Sequence, residues 1–204
     1  MTVEVDQVRV ESRLLTGQLG CPACPCALRP WGWGRPRGVH GLAGVLRPRR
    51  ARCPGCLVTH VLLPVTVLLR RAYAAEVIGA ALLARVAGSG HRVIGAVVGA
   101  PAATVRGWLR VTAARLEPTC GYLLRVARGA GVDVVVPKAM GSPWGDLVAA
   151  LGAATAAVTG RFGVFGVLGP VTAWQVAVAC SSGRLLAPHW PPPRCGDGGN
   201  TSRL

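Results

Sequence analysis

The sequence predicts a mainly α-helical protein: an N-terminal zinc ribbon of short β strands, then a three-helix helix-turn-helix and a C-terminal helical region. Three observations lead there. Two Cys-Pro-x-Cys turns, "CPAC" at 21–24 and "CPGC" at 53–56, are separated by 28 residues. From Arg70 onward apolar residues recur at helical spacing, punctuated by Gly88–Gly90 and by Gly99 and Pro101. Positive charge is also concentrated: residues 12–116 carry 15 arginines and one acid, Glu76, while the rest of the chain is near balance.

The chain has 204 residues, 51% of them hydrophobic, so material for a core is ample, and its formal charge is +15. Lys138 is its only lysine. The wealth of Arg, Ala, Gly and Val is that of a GC-rich genome, which inflates arginine for reasons unrelated to function. The placement of the charge therefore says more than its total. A field of this sign over half a chain favours polyanions, either nucleic acid or an anionic membrane surface.

The N-terminal lead, residues 1–17, has no apolar run behind a basic start, so no secretory signal is expected. A cytoplasmic location follows as the expectation. Thiols stay reduced there, and eight cysteines read as ligands or buried small residues before they read as disulfides.

Residues 18–69 read as the ribbon. Four thiolates on two tight turns suit a tetrahedral Zn2+, and the predicted ligands are Cys21, Cys24, Cys53 and Cys56. A thioredoxin-like redox site would need only one such pair, beside a βαβ unit. The proline after each leading cysteine fixes φ, and Gly55 is expected to supply the backbone freedom of the second turn. Cys26 reads as a spare thiol, and Cys120, Cys180 and Cys195 as buried or free. Gly41 and Gly44 break the intervening segment into short strands, and "THVLLP" is a third strand candidate ending at Pro64. Arg47, Arg49, Arg50 and Arg52 lie in an acid-free stretch and are expected to meet DNA phosphates.

Residues 70–116 read as three helices. Tyr73, Val77, Ala80 or Ala81, and Ala84 mark the apolar face of the first. The second runs from His91 to Val98, with His91 and Arg92 placed at its start, near phosphate. Ala96 is expected to let it approach the third. Pro101 suits the first turn of that third helix. There Val105, Trp108, Leu109 and Thr112 share one face, and Ala103, Arg106, Gly107 and Arg110 the other. A longer helix before two short ones joined tightly matches the helix-turn-helix plan, with Ala103, Thr104, Arg106 and Arg110 entering the major groove of double-stranded DNA.

The runs "LRPRRARCPGCLVTHVLLP", "RRAYAAEVIGAAL", "GHRVIGAVVGAPAATVRGWLR" and "GRLLAPHWPPP" resemble an actinobacterial family of zinc-ribbon plus helix-turn-helix proteins, itself similar to transposase-associated DNA-binding proteins encoded near insertion sequences. The resemblance covers about residues 18 to 190 and is sharpest at the two cysteine turns and "TVRGWLR". It implies a DNA-binding role in transposition.

Residues 117–186 are predicted as a helical region of unknown role, with one helix in "WGDLVAALGAATAAVTG" and a buried one over Val171–Cys180. The segment Phe162–Gly183 holds 22 residues without a charge, long enough to consider a membrane span, but Gly163, Gly166, Gly169, Pro170 and Gln175 argue against it. Residues 187–204 read as a disordered Pro/Gly-rich tail. Clustered carboxylates for two-metal chemistry are missing, since Asp133, Asp146 and Asp197 are scattered. The sequence therefore predicts no enzyme but a DNA-binding protein that partners a second copy or a transposase, with residues 1–116 able to fold and bind alone. Two rivals are the DNA-recognition part of a transposase whose catalytic domain is lost or on another chain, and a small membrane-associated protein with a basic cytoplasmic head.

Overall fold

The computed structural model describes residues 1–131, 134–166 and 169–192. It is mainly helical, with a small sheet at its N-terminal end. The elements in order are β1 (Thr2–Val3), α1 (Gln7–Leu15), β2 (Arg29–Trp33), β3 (Arg37–Gly38), β4 (Val45–Leu46), β5 (Arg49–Arg52), β6 (Thr59–Pro64), α2 (Ala75–Val86), α3 (His91–Val98), α4 (Ala102–Ala113), α5 (Leu116–Ala130), α6 (Pro143–Phe162), β7 (Phe165–Gly166), β8 (Gly169–Pro170) and α7 (Ala173–Cys180). The sheet has the order β1-β6-β5-β2, with β1 parallel to β6 and the other pairs antiparallel.

Residues 1–17 are built into this sheet rather than leading up to it. Asp6 caps α1 by accepting from the Val8 and Arg9 amides at 2.9 and 3.4 Å. Val10 and Leu14, one turn apart, then press onto the sheet with Leu28, Ala51, Cys53 and Leu62. The expected third strand is found as β6, ending at Pro64.

The β3–β4 hairpin leaves the sheet and docks on the helices. His40 exchanges backbone hydrogen bonds with Ala72 and Ala74, and its ring lies 5.2 Å from Tyr73, which meets Trp108 edge-on at 4.9 Å. Val39, Leu46, Leu63, Val67 and Ala74 close a small core between the two parts.

The helical core joins α2 to α7. Ile78, Ala81 and Leu82 are the buried face of α2, where α6 and α7 cover it; of the expected positions Ala81 is fully buried, Tyr73, Val77 and Ala84 pack half-buried beside it, and Ala80 is exposed. Gly79 is buried directly under the indole of Trp174, where a Cβ would collide with the ring. The expected boundary at 116/117 is thus no boundary in the fold: Arg71 and Arg115 each donate at 2.6 Å to Leu186 O and Ala187 O, and Leu69 N donates to Gly183 O. Helices α5 and α6 run side by side in the same sense. Cys120 near the start of one feels Asp146 near the start of the other, while Gly131 meets Ala157 near their ends.

α7 begins at Ala173, with Thr172 as its cap, and buries Trp174, Val176, Ala177 and Val178 as the sequence predicted for that segment. Thr172 Oγ1 also donates to Glu76, tying α7 to α2. Among the described residues, no helix is long and apolar enough to cross a membrane. The first part of the expected tail is packed: Trp190 is buried and meets Tyr122 at 5.1 Å, since an indole gains more from apolar contact than from water. Residues 193–204, with Cys195 and Asp197, lie outside the described residues, as does Asp133.

Candidate metal centre and basic surface

Each cysteine turn closes a hairpin. In the first, Cys21 N donates to Cys26 O at 2.9 Å and Leu28 N to Leu19 O at 2.8 Å. The second is the turn between β5 and β6, where Cys53 N donates to Val58 O at 3.0 Å. The two turns face one another, and the sulfurs of Cys21, Cys24, Cys53 and Cys56 all lie within 4.8 Å of each other. Cys24 and Cys53 are 3.3 Å apart and Cys21 and Cys56 3.7 Å. A disulfide needs about 2.05 Å. Four sulfurs around a tetrahedral ion with metal–sulfur bonds of about 2.3 Å would stand about 3.8 Å apart. The cluster has the spacing of ligands, not of cross-links.

The thiols behave as a set. Amide hydrogen bonds from Cys56 and Gly55, helped by neighbouring thiols, outweigh burial and draw Cys53 down to about 6. The Val58 amide also favours the Cys56 thiolate, but burial and the Cys53, Cys21 and Cys24 sulfurs together push it up to about 12. The two shifts run in opposite directions because neighbouring thiolates repel, and a bound cation would relieve that repulsion.

Gly55 matters for a different reason from the one expected. The left-handed residue of this turn is Leu57, at φ 60°, held where Arg52 Nε donates to its carbonyl at 3.3 Å. A Cβ at Gly55 would sit 2.5 Å from Cys26 Sγ, so the glycine makes room for the fifth thiol. Cys26 stands beside the cluster and outside it. His60, unremarked in the sequence, brings Nε2 to 3.5 Å from Cys21 Sγ. Its place on β6 follows from the pairing of His60 with Ala51, but nothing in the spacing of the cysteines announces it. Cys120 and Cys180 are both partly buried, and desolvation pushes their thiols upward, Cys120 to about 11.

The four arginines at 47, 49, 50 and 52 divide. Arg49 has only 11% of its side chain exposed and binds Glu11 of α1 at 2.7 and 2.9 Å, with a third bond of 2.6 Å to Gly32 O. That takes it out of the set expected to meet phosphate, because the segment is acid-free in sequence but not in space. Arg47 is exposed, with its guanidinium 5.6 Å from the Trp33 ring. Arg50 points to the opposite face from Arg49, and Arg52 lies 4.5 Å over Trp31.

On α4, Val105, Trp108 and Thr112 are buried, Leu109 is half-buried, and Ala103, Arg106 and Arg110 are exposed. Thr104 is half-exposed beside them. His91 and Arg92 open α3, the latter exposed. Gly99, at φ 66°, ends α3 in the left-handed region and turns the chain sharply into α4. Gly95, not Ala96, permits the close approach: a Cβ there would meet Ala100 O at 2.7 Å, while Ala96 is exposed. His40 braces the same corner, with Nε2 3.2 Å from Val98 O.

Comparison with family models, with curated proteins and with solved structures finds no match for this chain.

Proposed function

We propose that this protein is a non-catalytic, zinc-dependent DNA-binding protein in which a zinc ribbon and a helix-turn-helix act together. The observation that carries the reading is the division of α4. Its apolar side is sunk in the core while Ala103, Arg106 and Arg110 stand in water beside a tight, glycine-made turn from α3. Zinc is the metal of choice because four thiolates in tetrahedral array select a soft-tolerant ion without geometric demands of its own. Arg106 and Arg110 supply bidentate donors for guanine in the major groove; Arg92, Arg47 and Arg50 supply charge for phosphates. The resemblance of the two cysteine turns and "TVRGWLR" to transposase-associated proteins favours a mobile element as the setting, with a transposase or a second copy as partner.

Selection of bound duplexes from a random pool with metal-loaded protein tests this reading. An enriched motif is expected, and a pool that stays random overturns it. Arg106→Ala should relax discrimination at one base pair by about 1–3 kcal/mol. Arg50→Ala should weaken all duplexes alike and flatten the salt dependence by roughly 0.9 log unit per lost phosphate contact.

A further inference from the structure

The sheet has one face under α1 and another open to solvent over β2 and β5. Register sorts the side chains between them. Pro30, Ala51 and His60 lie opposite one another on the α1 side, where Ala51 is fully buried. Arg29, Arg52 and Thr59 align on the outer side, with Arg50 two residues along from Arg52. Between Pro30 and Gly32 the register slips, and the extra residue is Trp31. A bulge of this kind re-aims a side chain. Here it puts an indole 52% exposed among arginines, with Arg52 bracing one side of the ring at 4.5 Å. The neighbouring Trp33, by contrast, is taken up by Arg47 and by the Arg49 that holds Glu11. The ion pairs among the described residues all use Glu4 or Glu11, and none reaches Arg29, Arg50 or Arg52.

We infer that this outer face binds single-stranded nucleic acid, with an unpaired base stacked on the open side of Trp31 and phosphates held by Arg29 and Arg50. The partner must carry negative charge in a chain, because several guanidiniums lie side by side with no carboxylate between them. It must also offer a flat apolar ring, because an exposed indole gains nothing from phosphate. Bases within a duplex are stacked on each other and cannot lie on a side chain, whereas an unpaired base can. Every base has such a face, so the surface grips without reading sequence. It is separate from α4 and shares with the reading above the class of partner and Arg50, whose guanidinium meets phosphate in both.

The test is binding of full-length, metal-loaded protein to a labelled oligothymidylate of about 15 nucleotides, the range one small fold covers. Trp31→Ala should weaken it about 5- to 150-fold, the effect of losing one stacked base, and Trp31→Phe should keep most of the affinity. Duplex binding should not change. Equal affinity of wild type and Trp31→Ala, an equal loss on duplex and single strand, or wild-type protein that leaves the oligonucleotide unbound each overturns the inference. Should Trp31→Ala fail to retain metal, Arg29→Ala, which removes a guanidinium of this face that the duplex reading does not use, reads the same face. A salt slope lower by roughly 0.7 per phosphate is then expected, and an unchanged slope overturns it. Arg106→Ala separates the two surfaces, since it should spare oligothymidylate and impair duplex discrimination.

Discussion

Arg49 and Glu11 show how a residue's role depends on what the fold brings beside it. The pair is bidentate and sits against Trp33, so Arg49→Ala should cost about 1–3 kcal/mol in urea unfolding, where Arg50→Ala should cost little. The hydrogen bond from Arg49 holds Glu11 below the usual carboxylate range. Because the folded pKa is the lower one, the pair's stabilisation is complete above the ordinary glutamate pKa and fades as pH falls through the folded value. Glu11→Gln should therefore flatten that part of the acid limb of stability, measured as urea midpoint against pH. Two glycines make a second contrast. Gly95→Ala drives a methyl into Ala100 O and should destabilise by about 1–3 kcal/mol. Gly107, with nothing within 4 Å of its missing Cβ, should gain up to about 1 kcal/mol from the same change. Thermal or denaturant melts of the two variants check both signs.

At the scale of elements, the cysteine turns were legible because metal geometry depends on local spacing, which the chain writes out directly. They should hold one metal ion per chain. Cys53→Ser, which alters the fully buried ligand, should lose the ion and the sheet's order, and Cys26→Ser should keep both, as read by metal content and far-ultraviolet circular dichroism. The helices α2 to α4 and α7 were legible from their 3.6-residue period and their Gly and Pro punctuation. What the sequence hid was set by partners far along the chain. The buried side of α2 takes in Ile78 and Gly79 beside the expected Ala81, because Trp174, nearly a hundred residues away, packs on Gly79. Helix α1 has its own signals, Asp6 as cap and Val10 with Leu14 at helical spacing, but its short apolar stripe has meaning only against β5 and β6. Trp31 escaped notice because a bulge shows in pairing and not in composition.

On the scale of the whole molecule, the basic half and the near-neutral half share one core. Residues 1–116 alone would bare the side of α2, with Ile78 and Leu82, that α6 and α7 pack against, and would lose the bonds from Arg71 and Arg115 to 186 and 187. That fragment, expected from the sequence to stand alone, should instead aggregate or lack a cooperative melt, while the full chain melts as one unit; size exclusion and calorimetry distinguish the two. The hairpin that carries His40 to the α3–α4 corner has a further consequence. It lies between β2 and β5, the strands that carry the chain from one cysteine turn to the other, and its tip touches Val98 and Gly99 where the chain turns toward α4. On the proposed function, occupancy of the ion site and the posture of α4 become two halves of one thermodynamic cycle. Whatever factor the ion adds to the affinity for a cognate duplex, the duplex must return to the affinity for the ion. Titrating a chelator against protein with and without cognate DNA reads that factor directly, and His40→Ala should bring it toward unity while leaving the four sulfurs in place.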